Sequence, residues 1–179
     1  MPSFLDNLDR DIRENLMAMI RNLWTHTSTA LEGNSLTLGD TAFVLAEGLT
    51  VSGKPLKDHQ EVVGHARAID LLYDLLRSDS KITQQDLFVL HQAVQTSVAI
   101  DYYRPLGAWK REINGTFMIK DGKQVYIEYA LPEDVSGLMG DWLRLANRYF
   151  ASRDLSVNEA LNAYVELHIS FVRIHPSVP

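Results

Sequence analysis

Ala163-Tyr164-Val165-Glu166-Leu167-His168-Ile169-Ser170-Phe171-Val172-Arg173-Ile174-His175-Pro176 is the stretch on which the reading of this chain turns. It follows Ser156-Val157-Asn158-Glu159, the pattern of a capping box, in which a serine and a glutamate three residues on satisfy each other's backbone N–H groups at a helix start. Leu161, Val165, Phe171 and Val172 supply the apolar face expected of that helix. Pro176 stops it. Proline disfavours helical backbone in the residue before it, so His175 is turned off the helix end into a loop. A histidine presented this way can titrate and accept a proton, although on residue chemistry alone a structural role is the commoner outcome.

Working outward, most of the chain shares the helical period. Leu5, Leu8, Ile12, Leu16, Ile20 and Leu23 recur at spacings of three and four and predict one apolar stripe. A turn follows at Glu32-Gly33-Asn34-Ser35. Thr37 with Asp40 predicts a short helix that closes near Gly48, and Val51 to Leu56, with Gly53 and Pro55, predicts a loop. A long helix is expected from about Asp58 to Leu76, with Val62, Ala66, Ile69, Leu72, Tyr73 and Leu76 inward. Thr83-Gln84-Gln85-Asp86 opens another, carrying Leu87, Leu90, Val94 and Val98. Leu138, Trp142, Leu145 and Tyr149 mark one more.

One segment breaks the pattern. Thr116-Phe117-Met118-Ile119 and Gln124-Val125-Tyr126-Ile127-Glu128-Tyr129 are β-prone runs around Lys120-Asp121-Gly122-Lys123, and Asp-Gly between two such runs is a strong hairpin signal. The expected fold class is mainly α, a helical bundle with one inserted β-hairpin. A lone hairpin is marginal in water, so it must lean on the helices or on a partner.

Composition bounds the function. Over 179 residues, 46% hydrophobic and 22% charged, the balance is that of one compact domain. A net charge of −6, with 17 scattered basic residues, argues against a nucleic-acid wrapper. There is no cysteine, which excludes disulfides and thiolate chemistry and fits a cytoplasmic setting. The first residues, Met1 to Asp6, lack the basic and apolar runs of a signal peptide. No stretch reaches the roughly 20 apolar residues of a membrane span, so no membrane partner is expected.

Six histidines are candidates for chemistry. His59 and His65 are six apart, the wrong spacing to share a helix face, and no pair has the zinc-protease spacing. No metal ligand is assigned. His168, among apolar neighbours, is expected to be packed and hydrogen-bonded, and Trp24, Trp109 and Trp142 to fill core or groove.

The quoted stretch nevertheless resembles the approach to the signature of the Fic (filamentation induced by cAMP) domain family, H-P-F-x-[DE]-G-N-G-R-x-x-R. Ser28-Thr29-Ala30-Leu31-Glu32-Gly33 is similar to the inhibitory pattern [ST]-x-x-x-E-[GN] of members whose inhibitory helix precedes the Fic core. Ser35-Leu36-Thr37-Leu38, Gly53-Lys54-Pro55-Leu56 and Glu61 also stand where such proteins have similar residues, and the hairpin falls where the family carries its target-docking flap. Each piece is weak alone; the ordered set covers nearly the whole chain.

The resemblance implies a protein adenylyltransferase that moves AMP from ATP, with Mg2+, to a Ser, Thr or Tyr hydroxyl of a target protein. It implies His175 as general base; Ser28, Glu32 and Gly33 as the inhibitory motif; and Thr116, Phe117, Met118, Ile119, Val125, Tyr126 and Ile127 as the flap that docks the target. It divides the chain into an inhibitory-helix segment, 1–36, and a Fic-type core, 37–179. A homodimer is left open. The sequence departs from the signature after Pro176: Ser177 replaces the phenylalanine, and Val178-Pro179 completes the sequence. The acid that holds Mg2+, the glycine nest and both arginines are missing, so these residues are expected to be inactive and ATP and Mg2+ binding is in doubt. An early stop, a frameshift or a cloning boundary would each give this ending. Two alternatives stand beside the enzyme: a non-catalytic interaction module acting through the hairpin, and a helical domain in which His175 is structural.

Overall fold

The structure, a computed structural model, describes residues 7–78, 80–95, 106–152 and 154–177. The chain divides into two compact units, Met1–Asp79 with Leu90–Val98, and Ser80–Val89 with Ala99–Pro179.

In the first unit, α1 (Arg10–Leu31), α2 (Leu38–Glu47) and α3 (Leu56–Arg77) pack around Leu36, Val44 and Val62, with Leu45 and Val51 against them. The α2 boundaries follow the sequence closely. Thr37 and Asp40 form the expected capping box, and Gly48 ends the helix in the left-handed conformation, φ 67. The α1 stripe is weaker than expected. Leu16 and Ile20 are half-buried, Ile12 and Leu23 are exposed, and the buried positions are Thr25 and Thr29. Thr29 Oγ1 donates to Thr25 O at 3.0 Å, which removes the cost of burying its hydroxyl. On α3, Val62, Ala66 and Ile69 are buried as expected, but Leu76 is 62% exposed because it lies in the last turn. His59 is buried with both ring nitrogens engaged: Val51 N–H donates to Nε2 at 2.8 Å, and Nδ1 lies 2.8 Å from Pro55 O.

The helix α4 (Gln84–Val94), opened by the expected Thr83–Asp86 box, has its residues divided between the units at Val89 and Leu90. Its buried residue is Ala93; Val94 is exposed, and Val98 lies outside the described residues. The second unit holds the antiparallel hairpin β1 (Gly115–Lys120) and β2 (Lys123–Glu128), then α5 (Pro132–Ala151) and α6 (Val157–Ile174). Phe117 faces Tyr126 and Met118 faces Val125 in the hairpin. Asp121 (φ 51) and Gly122 (φ 72) make its two-residue turn, the left-handed pair that matches strand twist. Tyr129, expected at the end of the second strand, lies just beyond it.

The core of this unit is Val135, Met139 and Ile174, flanked by Leu87, Trp109, Ala130, Trp142 and Phe171. The α5 helix is where Leu138, Trp142, Leu145 and Tyr149 mark it, and α6 brings a correction. On α5 the buried face is Val135, Met139 and Ala146, and Leu138 is exposed. Both candidate stripes obey the three-four spacing and share Trp142, so periodicity alone does not choose between them. On α6 the buried residues are Ala163 and Ile174, while Leu161, Val165 and Val172 are exposed. The helix is apolar on both faces. His168 is exposed rather than packed in the core, and stacks on Tyr164 at 5.6 Å. Of the tryptophans, Trp109 meets Phe88 edge-on at 4.5 Å and Trp142 meets Phe171 at 5.3 Å, but Trp24 is 45% exposed.

Candidate functional site

His175 sits where the sequence puts it, at the end of α6, but in an unexpected conformation. Its backbone is left-handed, φ 46 and ψ 67, and its N–H donates to Phe171 O at 2.9 Å. Proline after it disfavours the right-handed helical region, and the chain turns by the left-handed route instead of the extended one. For a residue with a Cβ this conformation is unfavourable by about 1–2 kcal/mol, so the surroundings must hold it.

The root of the hairpin does so. Lys110 N–H donates to Pro176 O at 2.8 Å and Ala130 N–H to Arg173 O at 3.3 Å, stapling both sides of His175. Tyr129 N–H donates to Asn114 O at 3.0 Å and closes the hairpin below its first strand. The imidazole is half-buried between these two residues. Tyr129 stacks on its face at 4.4 Å and 12°, and Asn114 Nδ2 lies 3.0 Å from Nδ1. Behind Asn114, Lys110 is 3% exposed; its Nζ donates to Asn114 Oδ1 at 2.6 Å and to Ile174 O at 3.1 Å. Burial lowers the Lys110 ammonium from its ordinary 10.5, against the pull of Glu128. Gly115 is needed here: a Cβ on it would come within 2.4 Å of Ile127 O and of the Tyr126 ring.

Sequence reading missed Lys110, Asn114 and Tyr129. The available signal was position, since Asn114 and Tyr129 flank the two strands and so meet at the hairpin root.

The flap residues Thr116, Phe117, Met118, Ile119, Val125, Tyr126 and Ile127 are all exposed, Ile119 at 78%. Phe117 and Tyr126 pair across the strands at 5.1 Å. In the first unit, Ser28 is half-buried in the last turn of α1, Glu32 is the exposed residue capping it, and Gly33 takes φ 91. Glu32 makes no ion pair among the described residues. The segment after it is tied to α3. Asn34 Nδ2 donates to Asp58 O and Glu61 Oε2, both at 2.9 Å, and Ser35 donates through N–H and Oγ to Asp58 Oδ2 at 2.8 and 2.6 Å. The Ser35 hydroxyl, above all, holds the Asp58 carboxyl below its ordinary value despite burial. Lys54 donates to Ser35 O. Three patches singled out in the sequence, around Ser35, Lys54 and Glu61, thus form one network.

Among the described residues no cluster of three or more His, Asp or Glu side chains could hold a metal ion. The donor set of the described residues therefore does not fit Mg2+, and the chemistry they offer is that of one held imidazole beside an exposed strand pair. Among the same residues no helix is long and apolar enough to cross a membrane.

No family model matches the chain. It is 34% identical over 74 residues to protein adenylyltransferase fic-1 of Caenorhabditis briggsae, covering 40% of this chain and 15% of that protein. It is 29% identical over 156 residues to protein adenylyltransferase Fic of Drosophila melanogaster, covering 84% of this chain and 28% of that protein. The chain thus spans less than a third of either relative. Its fold matches a Fic domain containing signalling protein from Bacteroides thetaiotaomicron with a TM-score of 0.81 at 23% identity, over 97% of this chain and 62% of that one. With its helical fold, its inserted hairpin and His175-Pro176 in the order the resemblance requires, the chain has the fold of Fic domain proteins and is similar in sequence to Fic-type protein adenylyltransferases.

Proposed function

We propose that residues 1–179 carry the base, the docking flap and the inhibitory segment of a protein adenylyltransferase. In this reading His175 takes the proton from a Ser, Thr or Tyr hydroxyl of the target. The freed oxygen attacks the α-phosphorus of ATP, and the bond to pyrophosphate breaks. The observation that carries the reading is the clamping of His175 by both ends of the hairpin, which brings a candidate base to the foot of a candidate docking strand. A base held in one orientation spends less free energy on alignment at the moment of reaction. The relatives named above, both protein adenylyltransferases, support ATP as the nucleotide. The protein is taken as cytoplasmic, with 1–36 as the inhibitory segment and 37–179 as core.

The flap recognises its target by strand addition: an extended segment pairs with the exposed edge, and side chains such as Phe117 and Ile119 set specificity. Glu32 acts as the inhibitor, its carboxylate opposing the triphosphate by charge as well as bulk. Phosphoryl-type transfer depends mostly on positioning and on charge stabilisation of the phosphates. Residues 1–179 alone are therefore expected to transfer no AMP, because the phosphate- and metal-binding part of the motif is not among them.

The test uses ATP labelled in its adenylate part, with Mg2+ and lysate proteins. Residues 1–179 should label nothing, and a chain continued past Pro176 with the family ending F-x-D-G-N-G-R-x-x-R should label targets. Labelling by 1–179 that His175→Ala abolishes would overturn the first expectation. The exposed strands also favour a second reading, a binding module without catalysis. A Gly-Ser replacement of residues 117–128 should abolish target capture under either reading. Unchanged capture would remove the flap from both.

A further inference from the structure

The contacts around Lys110 fix more than the position of His175. An ammonium group donates hydrogen bonds and accepts none. Lys110 Nζ is held against Asn114 at 2.6 Å, so the Asn114 atom that faces it must be the carbonyl oxygen Oδ1. The orientation of this side-chain amide follows from chemistry, because the reverse would set N–H against N–H. The amide nitrogen is then the atom 3.0 Å from His175 Nδ1. An amide nitrogen only donates, so Nδ1 must offer its lone pair, and the proton of the neutral ring sits on Nε2.

We propose that Lys110 and Asn114 are positioning residues that hold His175 in the Nε2–H tautomer, with its Nδ1 lone pair engaged. A neutral imidazole has one lone pair. Held in this way, His175 has none to offer a hydroxyl proton, and the structure is that of a resting base. It becomes competent when the Asn114 amide withdraws or turns over. Turned over, it presents Oδ1 to the ring, moves the ring proton to Nδ1 and frees the lone pair of Nε2. Lys110 opposes that turn, since it would lose its acceptor. Asn114 is also the last residue before β1, and its carbonyl receives the Tyr129 N–H that closes the hairpin root. The switch is therefore built into the base of the strand pair to which a target segment would add. Tyr129, stacked on the ring at 4.4 Å, keeps the imidazole in plane through the exchange. The catalytic consequence rests on His175 being the base; the tautomer does not.

His59 supplies an internal control. Val51 N–H donates to its Nε2, so its proton must lie on Nδ1, which faces Pro55 O. The two histidines should be opposite tautomers in one molecule. Long-range proton–nitrogen correlation spectra of 15N-histidine-labelled 1–179, recorded at a pH where both rings are neutral, distinguish protonated from unprotonated ring nitrogens directly. The expected result is Nε2–H for His175 and Nδ1–H for His59. Asn114→Asp, whose carboxylate accepts from Nδ1–H, should invert the major tautomer of His175 and leave His59 unchanged. Lys110→Met should move His175 in the same direction by releasing the amide. If Lys110→Met does not fold, Asn114→Asp decides alone, because Asn114 is only half-buried. An Nδ1–H ring at His175 in the unaltered protein, or an unchanged ring in Asn114→Asp, would overturn the proposal. No nucleotide or target is present, so the result stands apart from any transfer assay. A resting tautomer with no transfer by the extended chain would sink the enzyme reading and spare this one.

Discussion

Two helices of this chain end on the residue that the family reading makes functional, and they end in opposite ways. At Glu32 α1 stops with φ −89 and ψ 7, and the left-handed step is left to Gly33, φ 91. At His175 α6 stops with the functional residue itself in the left-handed conformation, φ 46. Glu32 is exposed and without an ion pair among the described residues, whereas His175 is stacked, hydrogen-bonded and stapled on both sides. The contrast suits the proposed roles. A base gains from having its ring placed before reaction, with only the Asn114 amide left to turn, at the cost of local strain stored in the fold. An inhibitor that must enter and leave a site gains from a flexible, unpaired end.

The comparison breaks first at Lys110. Lys110→Ala removes the donor to Ile174 O and Asn114 Oδ1 in a buried place, and hydrogen bonds to charged groups carry about 1.5–3 kcal/mol each. Urea unfolding should show a loss of about 3 kcal/mol, after allowance for the desolvation the ammonium no longer suffers. A loss below about 1 kcal/mol would mean that the clamp is loose and the two helix ends are not so different.

The same residue sets a pH dependence. Its folded value lies below the ordinary 10.5, so between the two the unfolded chain binds more protons than the folded one. Stability should therefore rise with pH through that window, and Lys110→Met should flatten the rise. A wild-type profile that falls there, while the variant does not, would contradict the burial argument.

Gly33 is the next lever. It has open space around it, so Gly33→Ala meets only the backbone penalty of φ 91. A loss of about 1 kcal/mol is expected in the same unfolding assay. No loss would show that the α1 end is free to choose another turn. Smallest of all is Glu32→Gly, which removes an exposed carboxylate with no ion pair among the described residues and should fall within about 0.5 kcal/mol of wild type. A larger loss would give Glu32 a structural partner and weaken the inhibitor reading.

How far the sequence disclosed this depended on whether the deciding interaction was local. The capping boxes at Thr37, Thr83 and Ser156 and the Asp121-Gly122 turn lie where they were expected, because each is settled by residues within three or four of one another. The α5 helix lies where its apolar residues mark it, but the buried face of α6 differs from the expected one, because that helix carries apolar residues on two faces and only tertiary packing selects one. Motif and proline singled out His175 as a candidate, while Lys110 and Asn114 stayed hidden. Their roles arise from contacts spanning 61 and 64 residues, His175 with Asn114 and Ile174 with Lys110, and nothing in local spacing signals them.

Autoradiography on the chain continued past Pro176 with the family ending tests the contrast between held base and free inhibitor most directly. Four proteins are compared: the extended chain, its His175→Ala form, its Glu32→Gly form and the double variant. The account predicts weak labelling of targets by the extended chain, a marked rise with Glu32→Gly, and none whenever His175 is replaced. Labelling that survives His175→Ala, or that is already full with Glu32 in place and unchanged by Glu32→Gly, would contradict it.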